Sequence, residues 1–336
     1  MNRWSWLARL LPALGQLLAL ILVFVGFAVA DQIWGQGRFV EMRNLRVIAM
    51  TTAPLAVAAL GMTMIIIAGG IDLSAGTAAM LSATILACTL KAEWHIAFCI
   101  CATLLTGGVC GLVNGLLISS LKIPPFIVTL GTMTIFLGIA KHLAAGSTVF
   151  VDRVKIPGWL LSFTSTMPPD WHGNFPNLAI GFWFAILLAM AVGCMLHYSV
   201  IGRHLFAIGS NEQTAILCGI PIFRTKTLVY GIAGILTGLA GLYMFSLVKM
   251  ANPIEGIGKE LKFIAAVVIG GGSLSGGRGT VLGTLVGASM MGVIGSGCDQ
   301  LEISNSTQDI IIGCIIIAAV TVDQSRQRFG KRSHSA

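Results

Sequence analysis

Charge is what this sequence has least of. Asp, Glu, Lys and Arg make up 10% of it, beside 56% hydrophobic residues and a mean hydropathy of +0.88, where an average soluble domain is about 25% charged. Such a balance excludes a soluble globular fold, because so few charges cannot cover a water-facing surface. Long polar stretches are few as well, so no sizeable soluble domain fits beside the apolar runs. The eight cysteines contain no Cys-x-x-Cys pair and lie mostly within apolar windows, which argues against a zinc site or a disulfide framework and reads them as small packing residues. His95, His142, His172, His197, His204 and His334 are scattered, and neither His-Glu-x-x-His nor Gly-x-Ser-x-Gly occurs. The common intramembrane hydrolase patterns are therefore missing.

A working phosphate loop is also lacking. Gly272-Ser-Leu-Ser-Gly-Gly277 has the right glycine spacing, but Arg278-Gly279 stands where Lys and Ser/Thr would have to meet phosphate and magnesium. The run Leu274-Ser-Gly-Gly-Arg278 is also like the signature loop of transport ATPases, yet membrane-like sequence flanks it on both sides. No ATP site is visible in this chain, and no cofactor is expected in it. The formal charge of +8 is spread over loops and the C-terminal tail without aromatic interleaving. That points to lipid head groups rather than nucleic acid.

What is present is a series of apolar runs. A spanning helix needs about 20 mostly apolar residues, and Leu10 to Ala30, Leu45 to Ala68, Ala97 to Ser119, Leu178 to His197, Thr227 to Val248 and Val281 to Gly295 fit that description, with Ile310 to Val322 shorter. Segments beginning near Ser74, Phe126 and Lys262 are weaker. The sequence thus predicts an all-α polytopic protein with about ten membrane helices, some of them broken, forming one membrane domain over 1–336. Ala28-Val29-Ala30 is like a signal-peptidase site, but the apolar run before it exceeds the ~7–15-residue core of a signal peptide and reads as a span. Ten crossings put both termini on one side. The tail residues Arg326, Arg328, Lys331 and Arg332 favour the cytoplasm, but with them included the 21 Lys and Arg divide almost evenly between the two sides, so the positive-inside rule alone does not decide the orientation.

Residues 146–177, with Pro157, Pro168, Pro169, Trp159, Trp171 and Asn174, read as an ordered external loop with interfacial tryptophans. Residues 198–225 read as a short cytoplasmic helix pair. Gly107, Gly111 and Gly115, and again Gly279, Gly283 and Gly287, recur at four-residue spacing, a ridge that lets helices approach closely in lipid. Gly69-Gly-Ile-Asp-Leu-Ser-Ala-Gly76 and Gly271-Gly-Ser-Leu-Ser-Gly-Gly277 match with a one-residue gap, a hint of an internal repeat.

Asp72 is the acidic residue most deeply set in apolar sequence, and a mid-membrane carboxylate costs about 2.5–3.5 kcal/mol on insertion scales. Flanked by Gly69, Gly70 and Gly76, it could cap the helix that follows a break, or it could line a pathway. Ser74, Asn114 and Asn252 are further polar candidates for the pathway, each equally able to serve packing.

At this point the motifs themselves identify a family. Gly69-Gly-Ile-Asp-Leu-Ser74, Asn114-Gly-Leu-Leu, Ile123-Pro-Pro-Phe-Ile-Val-Thr-Leu-Gly-Thr132, Gly202-Arg-His-Leu-Phe-Ala-Ile-Gly-Ser-Asn-Glu212, Ala251-Asn-Pro253, Ala265-Ala-Val-Val-Ile-Gly-Gly271 and Ser273-Leu-Ser-Gly-Gly-Arg-Gly279 follow one another in this order. Over nearly its whole length the chain resembles permeases of the ribose/galactoside type of bacterial ABC importers, more distantly those for branched-chain amino acids. The resemblance implies a multi-pass inner-membrane protein that is no enzyme. It further implies a dimer of permease subunits, identical or not, two ABC ATPase subunits, and a periplasmic sugar-binding protein. It places ATPase coupling in the Arg203 to Ile220 segment, on Gly202, Arg203, Gly209, Asn211, Glu212 and Gly219. Gly202 and Gly219 would then form tight turns, and Arg203 and Glu212 would pair across the interface. The chain departs from the family's pattern at Ile254 to Lys259 and at Gly272, which leaves the sugar open. A branched-chain amino acid or a sugar-derived signal would be alternative cargoes, and an ion-coupled secondary transporter or a scaffolding subunit would be rivals from other classes.

Overall fold

The computed structural model describes residues 4–165 and 178–332, with side chains over 14–165, 178–318, 320 and 321. Five helices come first, α1 (Trp4–Trp34), α2 (Met42–Ile67), α3 (Ala75–Lys91), α4 (Ile96–Leu121) and α5 (Pro125–Leu143). A connection follows, made of β1 (Val149–Phe150), a 3-10 turn (Arg153–Lys155) and α6 (Gly158–Ser162). Next are α7 (Ile180–Tyr198), α8 (Val200–Ser210), α9 (Glu212–Leu217) and α10 (Ile222–Val248). The chain closes with β2 (Met250–Ala251), antiparallel to β1, a second 3-10 turn (Pro253–Gly256), α11 (Lys259–Ile269), α12 (Val281–Gln300) and α13 (Asn305–Arg332).

Among the described residues, seven helices are long and apolar enough to cross a bilayer: α1 from Leu14, α2, α4, α5, α7, α10 and α12. Helix α3 and the 305–318 part of α13 are shorter apolar helices. Helix α11, with 11 residues, reaches only about 16 Å at ~1.5 Å per residue, roughly half of the ~30 Å hydrocarbon core. Residues 249–258, which lead into it, are not α-helical, and Pro253 and Gly256 there are buried, Gly256 against Thr77 and Met80 of α3. With α3 and the 305–318 segment, α11 makes three shorter helices beside the seven.

Helix α10 is the hub, packing against α2, α3 and α4. Its partner α4 offers the first glycine ridge, where a Cβ at Gly107 would overlap the Gly234 carbonyl, one at Gly111 the Tyr230 carbonyl, and one at Gly115 would lie 2.8 Å from the Thr227 Cα. The second ridge holds α12 to α11 in the same way, Gly283 over Gly270 and Gly287 over Ala266. Helix α2 is 89% buried along its best apolar window and α1 only 6%, so α2 is the core element and α1 lies on the outside. At the rim carrying β1, Lys155 pairs with Glu93 at 2.8 Å, and its ammonium holds that carboxyl below the usual range.

The repeat hinted at by the glycines is a shared helix terminus. At the end of α2, Gly69 N–H donates to Ile66 O and Gly70 N–H to Ile65 O; at the end of α11, Gly271 N–H donates to Val268 O and Gly272 N–H to Val267 O, all within 2.8–2.9 Å. This left-handed cap satisfies otherwise orphaned carbonyls and needs positive φ, which Gly69 (+80°) and Gly271 (+82°) supply.

One expectation changes. Gly202 is not a turn residue, because Ser199 caps α8 by accepting the Gly202 N–H at 3.1 Å. Gly202 lies within the first turn of α8, where any Cβ would overlap the Leu196 carbonyl. Gly219, at φ +78°, does make the turn that ends α9. In the connection between α5 and α7 Trp159 is half-exposed, while Pro168, Pro169, Trp171 and Asn174 lie outside the described residues, as do the side chains of Arg326, Arg328, Lys331 and Arg332.

Candidate translocation and coupling site

The turn between α2 and α3 carries Asp72, 7% exposed. Its Oδ1 accepts both the Ser74 backbone N–H at 2.8 Å and the Ser74 hydroxyl at 2.6 Å. The Asn114 amide of α4 donates to Ser74 Oγ at 2.8 Å, and the Thr132 hydroxyl of α5 donates to Asn114 Oδ1 at 2.7 Å. From α5, Thr129 also reaches the Ile71 carbonyl at 3.2 Å. One carboxylate, two hydroxyls and one amide thus tie the start of α3 to α4 and α5. All four are buried, where each unmade bond would cost about 1–3 kcal/mol.

Three of the four sequence-predicted pathway residues, Asp72, Ser74 and Asn114, therefore come together. Asn252 does not join them. It sits beside β2, and its Oδ1 accepts the Ile254 N–H at 3.2 Å, capping the second 3-10 turn.

Two polar groups absent from the sequence reading adjoin the same break. Tyr230 Oη lies over Gly70 and Glu260 Oε2 over Gly76, both buried and without a hydrogen-bond partner among the described residues. Glu260 Oε1 accepts the Gly258 N–H at 3.0 Å at the start of α11. The signal that could have found them is weak but real, since Tyr230 is one of three tyrosines and Glu260 an acid leading into an apolar run. Thr132 was present in the quoted motif, yet nothing in spacing tied it to Asn114.

Helices α8 and α9 form the expected helix pair, α8 packing on α7, α2 and α10 through Gly202, Leu205 and Ile208. Asn211 joins them, and its Oδ1 caps α9 by accepting the Thr214 N–H at 2.9 Å. Glu212 pairs with Lys226 at the start of α10, 2.8 Å away, so its carboxylate already has a partner inside the chain. Arg203 is exposed, one guanidinium nitrogen donating to the Tyr198 carbonyl at 3.4 Å. Around them Leu217 is 87% exposed, Ile216 56% and Phe223 49%, an apolar patch at the tip of a polar connection. Gly209, in the last turn of α8, meets the ends of both helix breaks.

Seven helices apolar enough to cross a membrane, shorter apolar helices beside them, and a helix α8 that touches the glycine-capped turns after α2 and after α11 describe an all-α polytopic membrane protein. Residues 44–320 match the family described as the permease component of branched-chain amino acid transport systems, and the chain belongs to it. It is 33% identical over 292 residues to the ribose import permease of Escherichia coli (strain K12), covering 86% of this chain and 88% of that one. It is 30% identical over 321 residues to the fructose import permease of Rhizobium meliloti, covering 93% and 85%. Against the L-arabinose ABC transporter permease of Azospirillum brasilense it is 30% identical over 292 residues, covering 86% and 82%. No solved structure matches the chain. The family is one of transport permeases and not of enzymes, and this chain is a multi-pass membrane protein.

Proposed function

We propose that this chain is the membrane-spanning subunit of an ABC importer for a monosaccharide, residing in the inner membrane with α8, α9 and both termini in the cytoplasm. It works there by alternating access. A second permease subunit completes the pathway, a periplasmic binding protein delivers the sugar, and a separate ABC ATPase docks on the α8–α9 pair and hydrolyses ATP. The likeness over most of both lengths to permeases for ribose, fructose and arabinose carries this reading.

The coupling role falls on Gly202, Arg203, Gly209, Asn211, Glu212 and Gly219. Gly202 seats α8 against α7, Asn211 and Gly219 fix both ends of α9, and Glu212 with Lys226 ties the pair to α10. A pair held this stiffly moves as one body when a partner closes on it. On the pathway side, Asp72, Ser74 and Asn114 act as the brace that holds the α2–α3 break, shaping the passage through its position rather than by gripping the sugar. Asn252 shapes the α11 pass from the opposite end.

Affinity purification of the tagged chain in mild detergent, followed by proteoliposome uptake of radiolabelled ribose, fructose and arabinose, tests the proposal. The expected result is a co-purifying ABC ATPase and uptake that needs both ATP and the binding protein. A chain that purifies alone and imports on an ion gradient would overturn it.

A further inference from the structure

The two helix breaks lie far apart in sequence and meet at one residue of the α8–α9 pair. A Cβ on Gly209 would overlap both the carbonyl oxygen of Ile67, the last residue of α2, and the amide nitrogen of Gly277, in the break between α11 and α12. That Gly277 N–H donates to the same Ile67 carbonyl at 2.9 Å, so the two breaks are hydrogen-bonded to each other directly beneath α8. Gly276 closes the contact. At φ +86°, its Cβ position lies 2.7 Å from Gly209 O and 3.0 Å from the Cα atoms of both Gly209 and Gly69. Gly277, at φ +71°, stands over the Ser210 backbone with its Cβ position 3.1 Å from the Ser210 Cα and amide nitrogen.

We infer that this backbone joint, with Gly209 as its positioning residue, is the point through which movement of α8 and α9 reaches both helix breaks at once. The inference rests on the reading of α8–α9 as the ATPase dock. Its physical basis is that around Gly209 and Gly276 backbone meets backbone, with the short Ser210 hydroxyl, 2.8 Å from the Gly277 Cβ position, the one side chain at the joint. A long side chain absorbs an ångström of displacement by changing rotamer, whereas backbones already in contact cannot, because close-packed interiors have low compressibility and transmit strain. One receiver is the end of α2, continuous with the Asp72 brace. The other leads into α12 and back into the half-length α11. Since Ile67 O and Gly277 N–H are bonded to each other, a shift of α8 that displaced only one break would have to break that bond. The geometry therefore favours both breaks moving together, which an alternating pathway between α2–α3 and α11–α12 requires.

The test uses the assembled importer, permease with ATPase and binding protein, in proteoliposomes with a sugar that the wild-type complex imports. Gly209→Ala is expected to keep the ATPase through purification, lower transport by roughly tenfold or more, the scale of an ordinary coupling between sites, and abolish the stimulation of ATP hydrolysis by sugar-loaded binding protein. Wild-type transport by that variant would overturn the joint. Because Gly209→Ala can fail to assemble, a second arm acts after assembly. Ser210→Cys, in a background with the exposed Cys101, Cys194, Cys218 and Cys314 replaced by Ser, is labelled with N-ethylmaleimide in the finished complex. Labelling should stop transport with the ATPase still bound. Undiminished transport after full labelling, or release of the ATPase on labelling, which would put Ser210 in the dock itself, would overturn the inference. If the wild-type chain never binds an ATPase, it is the underlying function that fails, and the two failures are told apart at the first purification.

Discussion

A single carboxylate shows how the membrane constrains this chain. Asp72 sits where an isolated charge would cost about 2.5–3.5 kcal/mol, and its Oδ1 accepts two hydrogen bonds from one neighbour, Ser74. Asp72→Ala should therefore lower the unfolding midpoint in detergent by the equivalent of about 1–3 kcal/mol, the cost of a stranded buried donor, while Asp72→Asn, which keeps an acceptor oxygen, should lose less. Equal stability of Asp72→Ala and wild type would show that Ser74 finds another acceptor. Asn114→Leu removes both the donor to Ser74 and the acceptor for Thr132 and should cost at least as much as Asp72→Ala in the same melt. The charged side chains of the α8–α9 pair obey the opposite logic. The Glu212–Lys226 pair, with Glu212 about half exposed, contributes only about 0–1 kcal/mol to folding. Glu212→Arg should then insert and fold normally yet lose sugar uptake, because it reverses charge on the docking face. Retained uptake would remove Glu212 from the coupling residues.

At the scale of elements, glycine placement separates contacts between helices from faces turned outward. Gly107 and Gly111 of α4 and Gly287 of α12 meet neighbouring backbone, whereas Gly131 and Gly138 of α5 have nothing within 4 Å. In lipid such close approach is a principal source of helix association. Gly111→Leu should therefore abolish the monodisperse peak in fluorescence-detected size exclusion, and Gly131→Leu should leave it intact. A normal profile for Gly111→Leu would mean that α4 and α10 are held by something other than their ridge. The element least expected from sequence is α11. Its run Phe263 to Ile269 is apolar enough to suggest a span, but a helix of that length cannot cross alone, and it follows a 3-10 turn at 253–256 that packs on α3.

For the molecule as a whole, the glycine-capped turns after α2 and after α11 meet under α8, at Gly209. Much of this architecture was legible in order. The strong apolar windows correspond to α1, α2, α4, α7, α10, α12 and α13, and the weak ones to α3, α5 and α11, because the bilayer imposes a length and a composition on every helix that crosses it. The helix pair at 198–225 was legible from its turn residues. The candidate site was legible only in part. Asp72 and Asn114 stood out as polar groups in apolar sequence, but no periodicity could reveal that they share Ser74, or that Thr132 completes the set.

By itself the sequence determined the class of solvent around this protein and the order of its apolar segments, since these depend on local composition. Only the tertiary structure decided that Asn252 caps a turn away from the Asp72 brace, that Glu212 already has an internal partner, and that Gly209 touches two breaks at once. Those are contacts between residues far apart along the chain, and their existence depends on how helices pack in three dimensions, which local patterns of residues do not encode.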